Sequence, residues 1–415
     1  MARIMRLGGA VAIAAGVLTA CGGGGSTATR TVRVDYRADE FPSSFLGYYP
    51  RNVIVHPGDT VVFKQTWSGE PHSVTMGTVV DNFIKYEPLM EKYDSREAAL
   101  ADGVPQSTVD AVDAAAAKVP GMVDDDRKIY EGGARPCYVA KVADVPTYTD
   151  SHDNVITGPS TTCPTQGQPQ PQFTGRQALY NSGYIPWQGS GANSYTVKIA
   201  KNATPGTYSY FCNYHWVSMS GTVKIVPRKT SIPSNAAANR EALKEIRKAE
   251  RKPAEAVRKA TRASTRAPSA VLAGANTGDL FSPGYVSANE FFPTKVTAKV
   301  GRPVTWSFKG LSHTVSFNVP AYFPVFTVDK TGDVHYDHRA QDAVQWKVPE
   351  AVFDENGDPE PRHVDAGDWD GSGGFHSSGL LNEGDTFSVT FTKPGTYPYA
   401  CAIHPQMIGQ VVVTA

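Results

Sequence analysis

Two stretches of this chain run in one register without a gap. The first is YPRNVIVHPGDTVVF, from Tyr49 to Phe63, and the second is FPTKVTAKVGRPVTW, from Phe292 to Trp306. Each alternates apolar and polar residues, breaks at a glycine turn, and alternates again, which is the pattern of strand, turn and strand. The correspondence continues downstream. Pro71-His72-Ser73-Val74 matches Ser312-His313-Thr314-Val315, and Ser194 to Ile199 matches Thr386 to Phe391. A Pro-Gly-Thr-Tyr turn follows in both copies, at Pro205–Tyr208 and Pro394–Tyr397. Then come Cys212 to Gly221 and Cys401 to Gly409, each leading into a last apolar strand. Two copies of one β unit is the simplest organisation that produces this pattern.

The repeat divides the chain into a first domain over 31–227 and a second over 279–415. The expected fold class is all-β, with 38 glycines and 30 prolines fitting a turn-rich β protein. Within each unit a long segment separates the histidine motif from the cysteine motif. These segments, about 81–178 and 318–375, read as loop or helix insertions, the first with a helix from Ser107 to Lys118 stopped by Pro120. The connector 228–278 carries twelve Lys/Arg against four Glu, whereas the whole chain balances 40 basic against 40 acidic residues. A basic, partly helical linker is expected there, with a solvated helix from Asn235 to Lys252 ending near Pro253. Such a charge excess can meet anionic lipid or an acidic protein face. The overall balance speaks against a nucleic-acid binder.

The first 21 residues read as a lipoprotein signal. Arg3 and Arg6 give a basic start, Gly8 to Val17 a short apolar stretch, and Leu18-Thr19-Ala20-Cys21 a cleavage site with Cys21 as the lipidated residue. That apolar stretch is too short to span a bilayer, which takes about 20 residues. Residues 22–30 follow as a flexible tether. The expected location is extracytoplasmic and membrane-anchored, at the cell surface or in the periplasm. In such an oxidising compartment Cys137 and Cys163 read as one disulfide.

Cys212 and Cys401 remain, in matching contexts. Each copy offers an upstream histidine and then Cys, His and Met within a few residues. The sets are His72, Cys212, His215, Met219 and His313, Cys401, His404, Met407. A thiolate, two imidazoles and a thioether form a soft ligand set suited to copper cycling between Cu(I) and Cu(II), whereas methionine is a poor zinc ligand. Two such sets in register point to two type 1 (blue) copper centres.

Both segments resemble cupredoxins, the plastocyanin- and amicyanin-like blue-copper proteins, over most of both domains. The resemblance implies a Greek-key β-sandwich for each unit, with the eight residues above as ligands. The Cys401-x2-His404-x2-Met407 spacing looks most like amicyanin, and the first site has one residue more before Met219. The position after the first histidine, often Asn in that family, is Ser73 or Thr314 here; either side chain can still reach the cysteine loop. The family's electrons usually pass at the C-terminal histidine, which makes the flanks of His215 (Tyr214, Trp216) and His404 (Ile403, Pro405) candidate docking surfaces. The sequence has no His-x-His and no His-Cys, which multicopper oxidases and copper nitrite reductases need, so an enzyme is not expected. The expectation is an electron-transfer protein with unknown redox partners. The alternative is a surface protein that buffers or delivers copper.

Overall fold

A computed structural model describes residues 27–36, 41–65, 72–93, 95–116, 135–145, 147–149, 155–157, 163–165, 167–185, 193–265, 269–275, 277–278, 284–320, 326–328, 334–350, 352, 360–404 and 406–415. The fold is built from β-sandwiches. In the first, a four-stranded sheet has the order Ser194–Lys198, Thr60–Gln65, Thr29–Val34, Tyr48–Tyr49. It faces a six-stranded sheet of order Asn52–Val55, Trp216–Ile225, Gly206–Cys212, His72–Met76, Leu179–Ile185, Pro136–Val139. In the second, Ser43–Phe45, Val286–Phe292, Ala270–Ala275, Pro303–Phe308, Thr386–Phe391 and His363–Trp369 form one sheet. Lys295–Lys299, Ile408–Thr414, Gly395–Ala400, Ser316–Phe317, His376–Ser378 and Ala343–Val344 form the other.

The alternation in the sequence explains the layering. Along Thr60–Gln65, Val61, Phe63 and Gln65 point inward, and along Pro303–Phe308, Val304, Trp306 and Phe308 do the same. Each apolar side chain of this kind contributes roughly 1.5–3 kcal/mol on burial, which the polar Gln65 does not. Both cores are aromatic at the centre, with Tyr48, Phe63 and Tyr210 packed edge to face in one and Trp306, Phe317 and Tyr399 in the other.

Several segments differ from the sequence expectation. The stretches read as insertions supply sheet strands as well as loops. Pro136–Val139 extends one sheet beside Leu179–Ile185, and His363–Trp369 lies parallel to Thr386–Phe391. The reason is local. Cys137, Tyr138 and Val139 are buried, as are Val364 and Trp369, so these strands cover apolar surface that a bare sandwich would expose. Helices Thr78–Lys92, Arg96–Ala101 and Gln106–Ala116 lie in the first of these stretches. The last matches the expected helix up to residue 116, and 117–120 lie outside the described residues. Cys137 and Cys163 form the disulfide. The signal, the tether up to residue 26 and Cys21 also lie outside the described residues.

The connector differs most. Its helix runs from Asn235 to Ser264, straight past Pro253, and it is not solvated all round. Ala242, Ile246, Pro253 and Ala260 are buried on one stripe, at spacings that return to the same helix face. That stripe packs with Phe41, Phe45 and Tyr49 from the first repeat and with Ala275, Val286, Ala288 and Phe292 from the second. Small residues carry little hydropathy, so the stripe was invisible beneath the Lys and Arg. The connector also ends earlier than expected, because Ala270–Ala275 is a strand inside the second sandwich, parallel to Pro303–Phe308. Ser43–Phe45 from the first repeat also joins that sheet, pairing antiparallel with Val286–Ala288 of the second.

Candidate metal centres

The sheets bring the repeated motifs together at one end of each sandwich. His72 starts the strand His72–Met76, which pairs with Gly206–Cys212, whose last residue is Cys212. His215 sits in the turn that follows. In the second unit Cys401 comes just after Gly395–Ala400, which pairs with Ser316–Phe317 downstream of His313. A Ser-Gly pair with a positive-φ glycine backs each histidine strand. Ser182-Gly183 and Ser378-Gly379 place a serine hydroxyl that accepts from Val74 N at 2.8 Å and from Val315 N at 2.9 Å. This Ser-Gly repeat was not singled out from the sequence, because the dipeptide is common and stands at different distances from the two cysteines.

The two donor sets have the same shape. In the first, His72 Nδ1 and His215 Nδ1 are 3.1 Å apart, and Cys212 Sγ is 4.0 Å and 3.6 Å from them. In the second, His313 Nδ1 and His404 Nδ1 are 3.0 Å apart, and Cys401 Sγ is 4.0 Å and 3.4 Å from them. Triangles with these edges have a centre about 2 Å from every corner, close to the length of a metal–imidazole bond of about 2.0–2.1 Å. Two imidazole nitrogens and one sulfur at this spacing fit a copper ion by donor type and by size. Met219 and Met407 are fully buried, each in the same apolar cluster as its cysteine. Cys212 and Cys401 are not disulfide-bonded, so the histidines rather than a cross-link are their partners.

The surroundings favour a thiolate. Burial by itself pushes both thiols up, but the paired imidazoles, through hydrogen bonds and charge, hold Cys212 and Cys401 well below the usual thiol value. A backbone N–H adds to this at each site, Ser73 N at 3.3 Å from Cys212 Sγ and Thr314 N at 3.4 Å from Cys401 Sγ. The hydroxyls of the same residues tie the cysteine loop down. Asn213 N donates to Ser73 Oγ and Ala402 N to Thr314 Oγ1, both at 2.8 Å.

The sites differ in two respects. His215 is half-buried, whereas His404 is 5% exposed, so only the first site presents its second histidine appreciably to solvent. Tyr214 packs edge to face on His215, with ring centres 4.7 Å apart, and against the first core, so it buttresses the ligand. The side chain of Trp216 and residue Pro405 lie outside the described residues. The second difference is Asp35, a fully buried carboxylate that sequence reading missed. Its Oδ2 is 2.9 Å from His72 Nε2. A carboxylate only accepts, so Nε2 carries a proton towards Asp35 and Nδ1 is the nitrogen left facing the metal position, where a bound ion would take the place of a proton. Burial pulls the His72 imidazolium down, but the hydrogen bonds and charges of Asp35 and Cys212 outweigh it and lift it to about 10.

Residues 286–414 match the family of copper binding proteins of the plastocyanin/azurin type. That segment is a cupredoxin domain. Amicyanin-alpha of Methylorubrum extorquens is 53% identical over 34 residues, which is 8% of this chain and 29% of that protein. The chain thus matches under a third of this relative's length. Among solved structures, a purple cupredoxin from Nitrosopumilus maritimus shares 20% identity, covering 35% of this chain and 99% of its own, with a TM-score of 0.17. Plastocyanin from Dryopteris crassirhizoma shares 22% over the same proportions, with a TM-score of 0.18.

Proposed function

We propose that the chain is an extracytoplasmic electron-transfer protein with two type 1 copper centres, one in each of two tandem cupredoxin domains. The observation that carries this reading is the pair of His–Cys–His triangles, alike in shape and in donor type, of which the second lies within the family-matched segment. His72, Cys212 and His215 would hold one ion and His313, Cys401 and His404 the other, with Met219 and Met407 as the weak fourth ligands. Copper bound there supplies one-electron exchange between Cu(I) and Cu(II).

The protein's own part is to hold the donors still and dry. The two sheets fix the histidine strand against the cysteine strand, and Ser73 and Thr314 lock the cysteine loops by hydrogen bond. Burial of all but His215 excludes water. This rigidity suits a carrier rather than an enzyme or a copper store, because ligands that do not rearrange let charge change at little cost. The disulfide fits an oxidising compartment. With Cys21 lipidated, the protein would be tethered to a membrane, and its partners would be redox proteins docking near His215. The basic face of the connector helix is the surface for anionic lipid or an acidic protein.

Cyclic voltammetry of the copper-loaded protein tests the carrier reading. Reversible one-electron waves accounting for two coppers per chain are expected. Copper held only as Cu(I), and lost on oxidation, would put copper buffering or delivery in its place.

A further inference from the structure

The two sheets that carry the repeat allow a comparison that the sequence alone does not. Strand Thr29–Val34 pairs in parallel with Thr60–Gln65, setting Val34 beside Gln65. Strand Ala270–Ala275 pairs in parallel with Pro303–Phe308, setting Ala273 beside Phe308. Gln65 and Phe308 are equivalent positions of the gapless repeat. The next residue after each reference strand position is therefore also equivalent: Asp35 in the first unit and Gly274 in the second. Both have left-handed backbone, with φ of 58° at Asp35 and 75° at Gly274.

The two residues face the same atom in opposite ways. Asp35 places a carboxylate oxygen 2.9 Å from Nε2 of His72. At Gly274 a Cβ would fall 2.3 Å from Nε2 of His313 and 2.3 Å from Lys309 O, so the second site has no room for any side chain there. Asp35 is also firmly placed. Its Oδ1 accepts from Phe45 N at 2.7 Å and from Tyr36 N at 2.5 Å, and none of the residue reaches solvent. A non-glycine residue in left-handed conformation, with every oxygen of its carboxylate engaged, is held there by the fold around it.

We propose that Asp35 is a positioning residue that polarises the His72 imidazole and makes the first copper site the lower of the two in reduction potential. The inference rests on the copper reading above. A carboxylate that accepts from a ligand imidazole raises the basicity of the nitrogen facing the metal. A buried negative charge also favours the ion of higher charge, Cu(II) over Cu(I), and it does so strongly in a poorly polarisable interior. Gly274 can supply neither effect. Two sites with the same ligands thus hold their electrons with different strength.

The test uses the full chain with one site disabled at a time. Cys401→Ser leaves the first site and Cys212→Ser the second, and each is titrated with a redox mediator while its visible band is followed. The first site is expected to titrate at the lower potential. Asp35→Asn, whose side chain tolerates the left-handed backbone, is then placed in each background. A tenfold loss of preference for Cu(II) at the first site corresponds to an upward shift of ~59 mV, and the second site should not move. In the metal-free chain, the 15N resonances of His72 should shift on Asp35→Asn while those of His313 stay in place. Equal potentials, or a first site and a His72 resonance indifferent to Asp35→Asn, overturn the proposal and leave two copper sites standing. A chain that takes up no copper overturns the copper reading and the proposal together.

Discussion

At Cys212 and Cys401 burial and ionisation pull against each other, and the neighbouring groups decide the outcome. Each thiol is fully enclosed by apolar packing, yet two imidazoles and a backbone N–H stand around each sulfur. The hydroxyls of Ser73 and Thr314 serve the same end from one residue away. Removing either leaves a buried backbone donor without its acceptor, at a cost of about 1–3 kcal/mol. Ser73→Ala and Thr314→Val should therefore each lower the denaturant midpoint of the metal-free protein by that amount, which equilibrium unfolding measures; unchanged midpoints would show that these bonds do not hold the loops. The ligand residues were legible in the sequence because cysteine, histidine and methionine are chemically conspicuous and recur at fixed spacing. Asp35 was not legible. Its counterpart is a glycine, the flanking residues share no pattern, and only the register of two separate sheets sets the positions side by side.

Among the elements, the connector helix shows how composition can mislead. Its Lys and Arg residues suggested a solvated rod, whereas Ile246 is buried in a cluster drawn from both repeats. Ile246→Ala should cost about 2–5 kcal/mol, read from chemical unfolding, whereas substitution of the exposed Lys248 should cost almost nothing. A cost below about 0.5 kcal/mol at Ile246 would restore the picture of a passive spacer. The disulfide behaves as a second kind of staple. Cys137 and Cys163 are separated by 26 positions, and cross-linking a loop of that length is worth about 3–4 kcal/mol by the chain-entropy account. Replacing both with alanine should lower stability by that order in the same measurement. The strands of the repeat were readable from period-two alternation. The strands within the insertions were not, because Pro136–Val139 and Ala343–Val344 are too short for a periodic signal.

For the whole molecule, the way the first repeat reaches into the second matters most. Ser43–Phe45 adds a strand to the second sandwich, Leu46 N donates to Tyr285 O, and Gly284 N donates to Ser218 O beside Met219. Tyr285 and Leu311 in turn pack against the first core. Units that share strands and a core cluster lose stability together, so calorimetry of the metal-free chain should give one transition whose van't Hoff and calorimetric enthalpies agree. Two resolved transitions would contradict this coupling. The sequence showed two units but could not show that they are interlocked, since Phe45, Leu46, Gly284 and Tyr285, which make much of the contact, lie outside the repeated motifs.

The central claim is that two His–Cys–His sets hold two blue coppers, and visible absorption during a Cu(II) titration tests it most directly. The full chain should develop an intense thiolate-to-copper band that saturates at two equivalents. Cys212→Ser and Cys401→Ser should each lose one equivalent and the colour that belongs to it. A protein that stays colourless at saturation, or whose band survives both substitutions together, would contradict the account.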